Sequence, residues 1–83
     1  MGNAVRTVPN RKPFEVEGTV KSFSRRDGYG FVAADDPNMQ DMFLHVRCLH
    51  DIGRDTIEEG VRLVCRAEYQ KGTPRVKSII AIK

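Results

Sequence analysis

The sequence has only two cysteines, Cys48 and Cys65, so at most one disulfide could form. This number excludes a disulfide-rich scaffold, and reduced thiols in a cytosol are expected. The first residues contain no apolar segment of the secretory-signal type, and no apolar run approaches the length of a membrane span. The chain begins Met-Gly, but Arg6 stands where the myristoylation pattern needs serine or threonine. We therefore predict a soluble, cytoplasmic protein without a membrane anchor.

Motifs of covalent chemistry and of cofactor binding are missing too. The sequence has no nucleophile elbow, no phosphate-binding glycine loop and no dinucleotide fingerprint. His45, Cys48 and His50 lie close together, but Cys65 is a distant fourth ligand without a near partner. Structural zinc sites usually pair their ligands closely. We predict no enzymatic activity, no cofactor, no metal and no small-molecule substrate.

The charge in the sequence is basic and unevenly placed. The formal net charge of the 83 residues is +3. Residues 61–83 hold six basic residues against one acidic residue, whereas acidic residues gather in two loop-like stretches, ADDPNMQD and DTIEEG. A basic excess of this kind favours a polyanionic partner.

Short runs of alternating hydrophobicity predict strands. Residues 1–14 lack such periodicity and form a predicted flexible basic tail, whereas residues 15–83 form one domain. Predicted strands cover 16–23, 29–34, 41–46, 61–69 and 75–82, with a long connection after the third that has room for a helical turn. This pattern predicts an all-β fold, a small five-stranded antiparallel Greek-key barrel of the OB type.

Two of these strands carry rings where a small domain should carry polar groups. Alternation directs Val32 and Leu44 toward the core and places four rings on the outer face: Tyr29, Phe31, Phe43 and His45. Exposing a Phe-sized side chain forgoes about 1.5–3 kcal/mol of burial, so a function is expected in return. The same alternation places Lys21 and Phe23 beside the rings, and the glycines Gly28 and Gly30 are expected to keep the approach to them low. Flat rings can stack unpaired bases, and nearby cations attract phosphate.

Four segments, GTVKSF, DGYGFV, DMFLHV and TIEEG, resemble the cold-shock domain family in order and nearly in spacing. The resemblance extends over residues 16–82 and implies an OB-fold barrel that binds single-stranded RNA and DNA, often as an RNA chaperone or antiterminator. By position it implies the following nucleic-acid-binding residues: Lys21, Phe23, Tyr29, Phe31, Asp41, Phe43, His45, Arg54, Lys71 and Arg75.

The sequence departs from the family pattern at four positions. Ser22 stands in place of tryptophan, Asp27 in place of lysine and Val46 in place of phenylalanine. Arg54 occupies a position where many members have a loop phenylalanine, although a guanidinium can also stack and pair with phosphate. Three stacking rings are therefore absent, which bears on affinity and base preference more than on the fold.

Two functions follow from these observations. The first is a protein that binds single-stranded RNA and DNA, as a monomer or weak homodimer, by stacking bases and contacting phosphates. The alternative is an OB-fold protein-interaction or dimerisation module with weakened nucleic-acid binding. Ser22 and Asp27 favour the alternative, because one replaces a ring and the other reverses a charge.

Overall fold

The computed structural model of the chain describes residues 13–83, which form five strands and one short helix. The strands are β1 (Phe14–Ser24), β2 (Tyr29–Ala34), β3 (Met42–His45), β4 (Arg62–Gln70) and β5 (Thr73–Ile82), and helix α1 (Val46–His50) follows β3 directly. The first strand begins two residues before the predicted one. Most of the predicted tail, residues 1–12, lies outside the described residues, so the predicted domain boundary stays a prediction.

The strands form a closed barrel in the order β1-β2-β3-β5-β4. Strand β1 is long enough to pair with β4 through its first half and with β2 through its second half. Every pairing is antiparallel except the one that joins β3 to β5, where Phe43 lies opposite Arg75 on parallel strands. The predicted all-β barrel of the OB type is confirmed, and this short parallel contact brings the start of β5 next to β3.

The core follows the predicted alternation over most of the barrel. Buried apolar side chains come from all five strands: Val20, Val32, Met42, Leu44, Leu63, Cys65, Ala67, Val76 and Ile79. Helix α1 adds Cys48 and Leu49, and the connection after it adds Ile57. Hydrogen bonds between the backbones of Val20 and residues 60 and 61 hold this long connection against β1.

Strand β1 departs from regular alternation at Lys21. Val20 pairs with Val32, but the next partners are Ser22 with Phe31 and Phe23 with Gly30, so one extra residue is accommodated between them. Such a bulge reverses which side chains face the core. Phe23 consequently packs, half-buried, against the core. The predicted outer position of Phe23 is therefore wrong, and Ser22 instead lies across from exposed Phe31.

A network of ion pairs joins β1, β4 and the loop after β2. The guanidinium of Arg62 donates hydrogen bonds to Glu17 and Asp35, each at 2.8 Å, and Lys83 Nζ lies 2.8 Å from Glu17 Oε2. The hydrogen bonds from Lys83 and Arg62 lower the pKa of Glu17, and the bond from Arg62 lowers the pKa of Asp35. The network should therefore stabilise the barrel only while these carboxylates are ionised.

We expect Arg62→Gln to lower the thermal unfolding midpoint at neutral pH. A carboxyl whose pKa is lowered by folding stabilises the fold above its ordinary pKa, 4.5 for Glu17 and 3.8 for Asp35, and this contribution disappears as the pH falls through the lowered value. The difference between variant and wild type should thus be small, because the pairs are exposed, and should shrink in acid. Thermal melts followed by circular dichroism at about pH 7 and about pH 3 measure it.

The matched control is Arg66→Gln, which removes the same charge from an exposed position of the same strand. Within residues 13–83, Arg66 has no carboxylate in salt-bridge distance, so its substitution should leave the midpoint unchanged. An equal decrease in the unfolding midpoint of both variants at neutral pH would show that stability depends on net charge and not on the ion-pair network.

Candidate functional site

Four rings meet on the outer face of β2 and β3, and we call Tyr29, Phe31, Phe43 and His45 the ring cluster. The strand register pairs Tyr29 with His45 and Phe31 with Phe43, so the four side chains lie side by side. The Phe43 centroid lies 5.6 Å from that of Tyr29, 6.0 Å from that of Phe31 and 6.4 Å from that of His45. The predicted outer face is confirmed for all four, and Phe43 is its centre.

The rings of the cluster support one another while leaving surface open. Tyr29 and Phe31 meet edge to face at an interplanar angle of 86°, and Phe31 and Phe43 at 73°. Such tilted contacts are favourable between aromatic rings. Tyr29 and Phe31 are still 42% and 38% exposed. The cluster therefore presents ring faces at fixed angles to a ligand.

His45 also has a local structural role. Its Nδ1 accepts a hydrogen bond from the backbone N–H of Arg47 at 3.0 Å, which caps helix α1. This bond holds the imidazole at the edge of the ring cluster. In the neutral ring it places the proton on Nε2, so Nε2–H is available to donate to a ligand.

One of the predicted cations, Arg75, adjoins the cluster, and another, Lys71, lies in the turn that precedes its strand. The guanidinium carbon of Arg75 lies 5.4 Å from the centroid of Phe43, within cation–π distance, and Arg75 Nη1 donates to Gln70 Oε1 at 2.8 Å. Lys71 lies in the turn between β4 and β5. Its φ of 53° and the φ of 82° at Gly72 form the two left-handed positions of a tight hairpin turn. This turn holds Lys71 at an exposed tip.

Lys21 and Asp41, both predicted from the resemblance, are partners of each other. Lys21 Nζ lies 2.9 Å from Asp41 Oδ2, and both side chains are exposed. An exposed pair of this kind contributes little to stability. A competing polar group could therefore separate the pair at low cost.

The structure does not bring Arg54 into the ring cluster. Arg54 lines a shallow pocket with Ile52 and the last residues of β5. Its neighbour Asp55 pairs with Arg25 at 2.8 Å, which brings this loop to the turn between β1 and β2. Arg54 is thus a peripheral position, and its role stays a prediction.

The backbone conformation and packing require both glycines of DGYGFV. A Cβ on Gly30 would collide with the carbonyl oxygen of Ser22 and approach the Cα of Phe23 to 2.5 Å. Gly28 has a φ of 81° in the turn before β2, a conformation that favours glycine. Gly30 therefore allows β1 and β2 to lie close at the bulge, and the expectation that the two glycines keep the approach to the rings low stays a prediction.

Burial disfavours the reactive thiolate form of both cysteines. Both cysteines are free and buried, and Cys48 Sγ donates to the carbonyl oxygen of Val76 at 3.5 Å. Burial raises the pKa of Cys48, and burial together with the nearby Cys48 raises the pKa of Cys65 to about 12. Within residues 13–83, no group of three or more side chains is arranged to hold a metal ion. The helix that the structure describes is too short and too polar to cross a bilayer.

Sequence reasoning missed a groove beside the ring cluster. Its lining includes His45 and Arg75, which were predicted, and Arg47 and Lys77, which were not. Arg47 lies on α1 and Lys77 on β5, and the parallel pairing of β3 with β5 brings these two elements close together. The basic excess of residues 61–83 was the one available signal for Lys77.

Comparison with known proteins agrees with this geometry. A sequence profile of the "cold-shock" DNA-binding domain matches residues 16–79, most of the chain. "Cold shock protein 1" of Lactiplantibacillus plantarum is 33% identical over 63 residues, which cover 76% of this chain and 92% of that protein. "Cold shock-like protein CspA" of Vibrio cholerae is 31% identical over 68 residues, 82% of this chain and 96% of that protein. A "Major cold shock protein" of Streptococcus pyogenes is 33% identical over 63 residues, 76% of this chain and 91% of that protein.

Proposed function

The chain belongs to the cold-shock domain family, whose general property is nucleic-acid binding, and we propose that it binds single strands of RNA and DNA by stacking unpaired bases on its ring cluster. The observation that carries this proposal is the group of partly exposed rings around Phe43, with Arg75 stacked beside them. A sequence-tolerant platform of this kind is typical of single-strand binding, because every base has a flat face.

Each side chain of the site has a role in this proposal. Tyr29, Phe31 and Phe43 stack bases, and His45 donates from Nε2 to a base or phosphate. Lys21, Lys71 and Arg75 contact phosphates, with Arg54 at the periphery, and Asp41 accepts a hydrogen bond from a base. Phe23 supports the platform from the core side, because its ring packs against the core.

Binding of this kind has a consequence for RNA structure. Bases that are stacked on protein rings cannot pair with one another, so the protein competes with hairpins for the same nucleotides. It would act as an RNA chaperone or transcription antiterminator in the cytoplasm, without nucleotide hydrolysis, cofactor or covalent step. A monomer suffices for this function, and a weak homodimer is compatible with it.

One observation favours the alternative function, a protein-interaction or dimerisation module. Ile52 and Ile80 are 38% and 48% exposed, and both line the pocket that includes Arg54. Adjacent exposed apolar side chains can mark an interface between proteins. This surface does not include the ring cluster, so the two functions predict effects of different substitutions.

We expect tighter binding to a labelled single strand than to a duplex of the same sequence, because the bases of a duplex are already stacked and cannot lie on the rings. Fluorescence anisotropy with oligothymidine, with an RNA of the same length and with each strand in duplex form measures the difference. Equal affinity for single strand and duplex would show that the protein binds nucleic acid only through nonspecific charge attraction. Absence of binding, together with a dimer mass in light scattering, would favour the alternative function.

A further inference from the structure

A groove of about 380 Å³ continues from the edge of the ring cluster along α1 and β5. Its volume lies at the lower end of the range, about 300–1,000 Å³, that small-ligand pockets occupy. The ring cluster and the groove share two residues: His45, 6.4 Å from Phe43 between ring centroids, and Arg75, whose guanidinium lies over the same ring. A strand that leaves Phe43 past these two side chains enters the groove.

The groove contains cations that the fold leaves available. Within the described part of the chain, Arg47 has no carboxylate in salt-bridge distance. Lys77 Nζ lies 3.7 Å from Glu68 Oε2, a long contact beside the 2.8–2.9 Å of the other ion pairs. Because the contact is long and the Lys77 side chain is exposed, the pair contributes little, and both cations can turn to a phosphate.

The groove also contains an acceptor with weak partners. The side chain of Glu68 is only 18% exposed, yet its contacts are the 3.7 Å pair with Lys77 and a 3.5 Å hydrogen bond from Gln70 Nε2. Removing a carboxylate from water is costly unless it is well hydrogen-bonded. A ligand that brings N–H donors to Glu68 would supply the short hydrogen bonds that the carboxylate lacks within the described residues.

We propose that this groove binds one guanine nucleotide next to the bases on the ring cluster, with Arg47 and Lys77 on its phosphate and Glu68 on its base. The proposal rests on the proposed function, because the ring cluster delivers the strand to the groove. Guanine is the base that fits, since the N1–H and the N2 amino group on its Watson–Crick edge are two adjacent donors that match the two oxygens of a carboxylate. Thymine and uracil present one donor between two acceptors, which a carboxylate repels.

The first test separates the groove cations from the ring cluster. Arg47→Gln and Lys77→Gln should each weaken binding of a guanine-ended oligothymidine roughly two- to tenfold and reduce the salt slope by about 0.7. Arg66→Gln, with the same loss of charge outside the groove, should leave the salt slope unchanged. Equal slopes for the Arg47, Lys77 and Arg66 variants would overturn the assignment of phosphate to the groove.

The second test addresses the base. In a series of oligothymidines with one guanine moved through every position, one position should tighten wild-type binding about fivefold or more. Glu68→Gln keeps the shape of the side chain and should abolish that preference, whereas Phe43→Ala should weaken every oligonucleotide in the series. A guanine preference that is absent from the wild type, or that survives in Glu68→Gln, overturns this inference and leaves the proposed function intact. The proposed function itself fails if wild-type protein binds no member of the series.

Discussion

Phe43→Ala is expected to weaken binding of oligothymidine by about five- to 150-fold, the equivalent of 1–3 kcal/mol for one stacked base. Phe43 is the centre of the ring cluster, with the centroids of Tyr29 and Phe31 at 5.6 and 6.0 Å and the Arg75 guanidinium at 5.4 Å. Its removal eliminates one platform and leaves the neighbouring rings and the guanidinium without their common contact. Titration by fluorescence anisotropy at one salt concentration measures the loss.

The matched control for this prediction is Tyr69→Ala. Tyr69 is also a half-buried ring, but it stacks on Phe14 at a centroid distance of 5.8 Å and lines a pocket without any residue of the ring cluster. Its substitution should leave oligonucleotide affinity within about twofold. Equal losses for the two variants would mean that the ring cluster has no special role in binding.

The stability of the variants distinguishes a platform from a core residue. Phe43 and Phe31 retain exposed surface, so truncation should cost less than the 3–5 kcal/mol typical of a buried phenylalanine. Phe31→Ala, at the more exposed ring, serves as the second variant if Phe43→Ala is too unstable to assay. Unfolding of both variants, followed by circular dichroism, would show that these rings serve the core.

The ring cluster was predictable because its members obey simple alternation. Tyr29, Phe31, Phe43 and His45 lie on two short regular strands, and a period of two assigns their faces without further information. The same rule failed for Phe23, because nothing in VEGTVKSF marks the bulge at Lys21. A bulge depends on the partner strand as well as on its own sequence, and here Gly30 is the residue that accommodates it.

Contacts between distant segments could not be predicted from the sequence, for a different reason. Arg47, Glu68 and Lys77 come from three elements, and their meeting depends on how the closed barrel places α1 beside β5. The pairing of Lys21 with Asp41 likewise links residues that are 20 positions apart. Sequence patterns predict local faces well, whereas charge partners and grooves depend on the closure of the whole sheet.

Ser22→Trp is expected to tighten binding of oligothymidine by about five- to 150-fold, the worth of one additional stacked base. Because of the bulge at Lys21, Ser22 pairs with Phe31 on the outer face, so an indole at this position would extend the ring cluster across β1. Serine offers no stacking surface, and the family resemblance places a tryptophan at this position. The gain should appear mainly in the dissociation rate, as is usual within one interface.

The absence of tryptophan from the natural sequence supplies a second measurement. In Ser22→Trp the single indole reports its own surroundings, and its fluorescence should change as a base stacks on it, with a midpoint that agrees with the anisotropy titration. Ile80→Trp is the matched control, because Ile80 is an exposed apolar residue of β5 that lines the pocket with Arg54. Its indole should neither tighten binding nor respond to the oligonucleotide.

If a folded Ser22→Trp protein shows unchanged affinity and unchanged fluorescence, bases do not pass over β1. If Ile80→Trp responds instead, the strand runs over the pocket at the end of β5, and Arg54 rather than the ring cluster marks its path.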